Sequence, residues 1–256
     1  MPTVSKLAIA PVKGLALHHP TEVALGTHGV AENRRFYLIA ADGRHRSGLA
    51  FGPLAAIVPE YDAAAERLRL RFPDGATVAG DAKALDGSVV VPWGAREMVA
   101  RVVEGPFSEA LSDYVGMELR LVRAGDDAHP QSFPASIVSE ASLDALEQSA
   151  DLPGPLDDRR FRMLVTIAGC EPFEEDRWLG GDIRVGEAVV RVLVPTARCA
   201  TTTRDPATGQ RDWDALRALK DLRGVSPEQT VDLGVYATVV KPGRVAVGDE
   251  VSPARE

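Results

Sequence analysis

Short runs of Val, Ile, Leu and Thr recur along this chain, broken about every ten residues by Gly, Pro or Asp, a rhythm that admits strands and tight turns but few helices. Residues 4–10, 35–40, 56–60, 67–72, 89–91, 119–122, 163–167, 182–185, 188–194, 235–240 and 250–252 read as strands. The Asp-Gly pairs in ADGR and FPDGAT supply the positive φ that hairpin turns need. The expected class is mainly β, a barrel with a few short helices plus an N-terminal β-rich domain.

Three segments break the strand rhythm. Residues 107–115 form a short amphipathic helix candidate. SEASLDALEQ places Ser139 as an N-cap ahead of Leu143 and Leu146 at helical spacing. RDWDALRALKDLR aligns Trp213, Leu216, Leu219 and Leu222 on one face, with acidic residues at its start and Lys220 and Arg223 at its end, as the helix dipole favours. These apolar positions are expected in the core. The polar, aperiodic stretch from Arg123 to Ser136 marks a boundary, dividing the chain into domains 1–123 and 124–256. A final strand pair turning on Pro242-Gly243 is expected to close the barrel.

Charge narrows the function. With 37 acidic against 29 basic residues and a net charge of −8, the chain lacks the basic surface that general nucleic-acid binding requires. No run reaches the roughly 18 apolar residues of a membrane span, and two cysteines without an apolar leader point to a reducing, cytoplasmic setting with no membrane partner. Arginines nevertheless cluster in NRRF, GRHR, DDRRFR and TARC, and guanidinium is suited to bidentate phosphate recognition.

Cys199 follows Arg198 at the end of a β-branched run. A thiolate is both a nucleophile and a soft metal ligand, and an adjacent cation favours it. From the residues alone a small buried thiol without chemistry is the commoner case. Zinc-type spacing, a phosphate loop, GxGxxG and GxSxG are all absent from the sequence. Two cysteines are also too few for an iron–sulfur cluster of the usual kind.

Several motifs in order resemble one family. VSKLAIAPVKGL and HGVAENRRFYLIAADG resemble the β-barrel domain that precedes MOSC domains, whose name refers to the C-terminal region of molybdenum cofactor sulfurase. RFRMLVTIAGCEPFEEDRWLGGDIRVGEAVVRV, ARCATTTRDPATGQ and LGVYATVVKPGRVAVGDEV resemble the MOSC domain itself, most like bacterial relatives of the mitochondrial amidoxime-reducing component. The match departs at Gly14, where relatives often carry serine, and at Leu164, where they carry asparagine.

The resemblance implies a molybdenum cofactor, Mo-molybdopterin, with Cys199 as catalytic residue and protein ligand of the metal. Lys13, Arg35, Arg162 and Arg198 would hold the pterin and its phosphate, between the two domains. It further implies pyridoxal phosphate binding as a family property. The activity implied is reduction of N-hydroxylated small molecules such as amidoximes, hydroxylamines and hydroxamic acids, with electrons from a separate reductase or ferredoxin-type partner. The alternative is a carrier of sulfur, as a Cys199 persulfide, or of the cofactor, without redox turnover; a third is a MOSC-like fold holding another anion.

Overall fold

The computed structural model describes residues 1–46, 52–93, 96–125, 133–152 and 154–254. Residues 126–132, the middle of the stretch expected to divide the chain, lie outside the described residues.

A seven-stranded sheet runs in the order Thr3–Leu7, Val165–Ala168, Ala135–Ser139, Asp232–Lys241, Ala188–Ala197, Asp182–Val185, Val251–Pro253. An antiparallel bridge between Thr3 and Glu250 then joins the first strand of this order to the last, rolling the sheet into a barrel. Backbone bonds from Val4 to Asp249 and from Val251 to Pro2, each 2.8 Å, tie the seam. Closure removes the open edges that would otherwise invite pairing with another chain. The interior is filled by Val4, Leu7, Ile137, Val165, Ile167, Val190, Val192, Val235 and Ala237, all nearly inaccessible. Each of these Val, Leu and Ile side chains contributes about 1.5–3 kcal/mol on burial.

A second sheet, His45–Arg46, Phe36–Ala40, Leu119–Ala124, Arg96–Val102 and Val89–Trp93, is covered on both faces. Phe36, Leu38 and Leu121 pack with Leu54, Leu68, Leu70, Phe107 and Leu111, while Tyr37, Ile39, Val122, Val91 and Ala100, all from this sheet, gather into a second buried cluster. The strand Phe36–Ala40 is therefore buried along its whole length, as its unbroken apolar run FYLIA suggests. A meander of Val58–Asp62, Arg67–Arg71 and Thr77–Asp81 packs beside it. In RLRLR the leucines point inward and the arginines outward, the period of two that defines a half-buried strand. Both Asp-Gly turns form: Asp42 accepts from the Arg44 amide and Asp74 from the Ala76 amide, with Gly43 and Gly75 at positive φ.

Three α-helices cover the rest: α1 (Phe107–Val115), α2 (Glu140–Ser149) and α3 (Ala215–Arg223). Ser139 caps α2 by accepting from the Ser142 amide, and Asp214 caps α3 through the Arg217 amide. Between α2 and α3, Leu143, Leu146, Phe161, Met163, Leu219 and Leu233 form a separate core under the barrel's side. Among the described residues no helix is long and apolar enough to cross a membrane.

Two expectations change. Gly243–Ala246 does not form a hairpin with Asp232–Lys241; it pairs with Glu22–Gly26, which pairs in turn with Gly29–Val30. Gly243 passes so near Glu187 that a Cβ would meet its carbonyl carbon at 2.6 Å, which directs the chain away from the preceding strand. The first strand then takes the closing role expected of the last pair. Ala135–Ser139, the sole parallel neighbour of Val165–Ala168 among the described strands, also went unread, because its sequence ASIVS abuts the N-cap of α2.

Candidate functional site

The strand Ala188–Ala197 delivers Arg198 and Cys199 at its end, where the Arg198 amide donates to Val231 O at 2.8 Å. Cys199 then opens a 3₁₀ turn, Ala200–Thr203, with extended backbone at φ −126° and ψ 173°. The turn is pinned from within: Thr202 Oγ1 donates to Cys199 O at 2.9 Å and Thr203 Oγ1 to Ala200 O at 2.7 Å. Its thiol is exposed, with Sγ 3.4 Å from Thr201 Oγ1. Cys170, by contrast, is half-buried against the barrel core, and burial with Glu174 and Glu175 nearby pushes its thiol up to about 11. The two thiols are thus distinguished by environment, and only Cys199 faces a cavity.

A second turn, Asp158–Phe161, is capped by Asp157 and ends with Arg162 in the left-handed conformation at φ 55°. From there Arg162 Nη2 donates to Leu15 O at 2.8 Å, reaching the loop that carries Lys13. Lys13 is placed by its amide, which donates to Phe36 O at 2.8 Å, and by Gly14, whose φ of 93° strains any side chain. The Lys13 ammonium lies 5.2 Å from the ring centre of Trp93. Arg34, also left-handed, donates through Nη2 to Arg162 O at 3.4 Å.

Together these residues enclose a cleft of about 240 Å³, lined among others by Lys13, Arg34, Arg162, Arg198, Cys199 and Tyr236. Four of the five positions named from the sequence therefore meet in one place. Arg35 does not line it; its side chain acts electrostatically on Tyr61 and Glu66, and its neighbour Arg34 faces the cleft instead. Arg34 ends a turn in the left-handed conformation just before the strand Phe36–Ala40, so neighbouring side chains of NRRF diverge and the motif named the right pair and the other member. Leu164 lines the cleft yet is 2% exposed; its amide donates to Ser136 Oγ, so the position is tied into the barrel core.

Burial, then Arg34 and Arg162, push Lys13 down to about 7. Burial and Arg34 likewise lower Arg162, to about 9. Burial lowers Arg34 and Arg198 as well, with Tyr236 acting in the opposite sense on both. Since guanidinium stays protonated in proteins, the repulsion falls on Lys13 and is relieved when an anion enters. Arg198 is turned partly inward, donating to Phe161 O and to Met163 Sδ and stacking 5.3 Å from the Phe161 ring. Its buried Nε has no hydrogen-bond partner among the described residues.

Trp93, Phe133 and Tyr236 add an aromatic wall, with Phe133 and Tyr236 stacked at 4.9 Å. Behind Trp93, His45 packs at 4.1 Å and is half-buried; burial, then Lys13, push it down to about 3. No group of three or more His, Cys, Asp or Glu able to hold a metal occurs among the described residues.

The MOSC domain model matches residues 116–252. The mitochondrial amidoxime-reducing component 1 of Danio rerio is 35% identical over 127 residues, component 2 of Rattus norvegicus 33% over 131, and component 1 of Homo sapiens 31% over 135. Each match takes in 48% of this chain and 38% of the relative, so well under two thirds of those proteins is represented. Among solved structures, the YuaD protein from Bacillus subtilis aligns with a TM-score of 0.47 at 11% identity, over 98% of this chain and 94% of that one.

Proposed function

This chain belongs to the MOSC domain family over residues 116–252, and from that premise we propose that it is a molybdenum-cofactor oxidoreductase that removes oxygen from N-hydroxylated compounds, including amidoximes, hydroxylamines and hydroxamic acids. One observation carries this reading: an exposed thiol, Cys199, opens into the same cleft as the mutually repelling cations Lys13, Arg34 and Arg162. The names of the relatives supply the reaction class.

The donor set fits the group. Molybdenum is thiophilic, and one accessible thiolate suffices for a metal already held by a pterin's sulfurs. The pterin's phosphate requires cations, and the ones gathered here depress one another until an anion enters. Cys199 would hold the metal, while Lys13, Arg34 and Arg162 hold the phosphate. Arg198 braces the strand end from which Cys199 projects. Arg35 supports the sheet behind them. In this reading residues 1–123 and 124–256 are two units that share the cleft, with the first strand lent to the barrel. Pyridoxal phosphate, if taken up, would draw on the same cations.

When bound, the cofactor supplies an acceptor for the substrate's oxygen. Reduction of R–NHOH consumes two electrons and two protons and yields R–NH₂ and water, so the chain's groups bind, orient and deliver protons. Trp93, Phe133 and Tyr236 offer a flat wall for a planar substrate. Electrons come from a separate reductase or ferredoxin-type protein.

The exposure of Cys199 also favours a second reading, a persulfide or cofactor carrier without turnover. Metal and pterin analysis of protein made in a cofactor-competent host separates the two. Molybdenum and pterin bound together, lost in Cys199→Ala, support the reductase. A labile mass gain of one sulfur at Cys199 without pterin supports the carrier.

A further inference from the structure

Arg160 is two residues from Arg162 in sequence but points elsewhere. Its side chain is 5% exposed, and Nη1 and Nη2 bind the two carboxylate oxygens of Asp212 at 3.0 and 2.8 Å. Nη1 also donates to the carbonyl oxygens of Thr202 at 3.3 Å and Arg204 at 2.9 Å, the residues that close the turn begun by Cys199. The guanidinium stacks 5.5 Å from the ring centre of Trp213, and the Asp212 amide returns to Thr203 O at 3.3 Å. One planar group thus ties the turn Asp158–Phe161, which aims Arg162, to the turn Ala200–Thr203, which presents Cys199.

From this geometry we infer that Arg160, held by Asp212, is the positioning residue of the cleft: it keeps the Cys199 sulfur inside the field of Lys13 and Arg162. The inference rests on the reading of Cys199 as the working sulfur. A buried guanidinium needs a partner for its charge, and Asp212 is that partner. Nη1 also reaches two backbone carbonyls of a single turn, an arrangement that a lysine ammonium, with three donors and no plane, does not reproduce. A brace for stability alone has no need to grip both carbonyls of the turn carrying the thiol.

The test uses the full chain made in cells unable to synthesise the pterin cofactor, so that Cys199 is open. Its alkylation is timed with anionic iodoacetate and with neutral iodoacetamide, each site identified by mass spectrometry. The ratio of the two rates, divided by that of free N-acetylcysteine, cancels the thiolate fraction and reports the positive field at the sulfur. The expected wild-type ratio is about three- to tenfold above the free thiol at low salt. Arg160→Lys and Asp212→Glu are expected to bring it within about twofold of the free thiol. Arg191→Lys, which alters a bidentate but exposed pair with Asp182 on the barrel surface, leaves the ratio unchanged.

Folding of each variant is checked by its urea midpoint. Folded variants at Arg160 or Asp212 that lose stability yet keep the wild-type ratio overturn the inference, as does a wild-type ratio equal to that of the free thiol. Should Arg160→Lys fail to fold, Asp212→Glu decides alone; its side chain is 27% exposed and has room for the longer arm. Metal and pterin content of the loaded protein answers the separate question of the cofactor.

Discussion

Arg162 Nη2 donates to the carbonyl oxygen of Leu15 at 2.8 Å, across 147 positions of sequence. A carbonyl aims a guanidinium without cancelling its charge. Arg198 is aimed in the same way, by Phe161 O. Arg162 and Arg198 are therefore fixed in direction by groups that leave their charge in place, a preorganised contribution to the field of the cleft.

Removing the sulfur tests the centre of the site. Cys199→Ser should leave the stability measured by urea unfolding within about 0.5 kcal/mol of wild type, because the side chain is exposed. N-reductase turnover of the loaded protein should fall by about a hundredfold or more, together with its molybdenum content. Retained turnover and metal would remove Cys199 from the proposed role.

The tandem arginines give a sharper contrast. Arg34→Gln should weaken binding of inorganic pyrophosphate, followed by calorimetry, by about tenfold, roughly 1.4 kcal/mol. Arg35→Gln should leave that affinity near wild type, since Arg35 does not line the cleft. Equal losses in both variants would contradict the placement.

Lys13 makes the empty protein sensitive to pH. Its folded value of about 7 lies below the ordinary 10.5, so between these limits the unfolded chain binds more protons than the folded one. Its contribution to stability therefore rises with pH across that window and is unfavourable below it. Lys13→Met should raise the melting temperature at pH 6 by an amount worth at least about 1 kcal/mol, with the gain shrinking toward pH 10. Pyrophosphate binding to the wild type near neutral pH should take up protons, read as a dependence of binding heat on buffer ionisation. A pH-independent difference between the two proteins would rule this out.

The rim of the cleft depends on two glycines meeting. A Cβ on Gly209 would lie 1.6 Å from Gly52 O, and φ at Gly209 is 70°. Arg204 Nη1 secures the loop by donating to Gly209 O at 2.7 Å. Gly209→Ala should cost about 2–4 kcal/mol in chemical denaturation, with faster alkylation of Cys199 if the loop lifts. A cost below about 0.5 kcal/mol would mean that the seam opens freely.

Periodicity made the strand class, the three helices and both Asp-Gly turns legible, because these are local. RLRLR and FYLIA announce their burial without reference to anything distant. Pairing is not local: nothing in GRVA indicates that its partner is EVALG, more than two hundred positions earlier. The short strand ASIVS is hidden by the helix cap that ends it. At the site, Cys199, Lys13, Arg162 and Arg198 were named through family motifs. Arg34 was missed by one residue because face depends on register, which a loop leaves undetermined. Arg160 carried no signal beyond being one of several arginines; its partner Asp212 was read only as helix-start chemistry. Trp93 and Tyr236 are ordinary strand residues until the fold brings them to one wall.

The seam between Thr3 and Glu250 also sets an order of events during synthesis. The first strand leaves the ribosome long before the segments that flank it, Val165–Ala168 and Val251–Pro253, so it must wait without neighbours while almost all the remaining chain is made. Loop closure over such a span is slow compared with helix or hairpin formation. The second sheet, drawn wholly from residues 36–124, has no such delay and can mature first. The cleft, which takes Lys13 and Arg34 from the early part of the chain and Arg162, Arg198 and Cys199 from the late part, is complete only once both have folded.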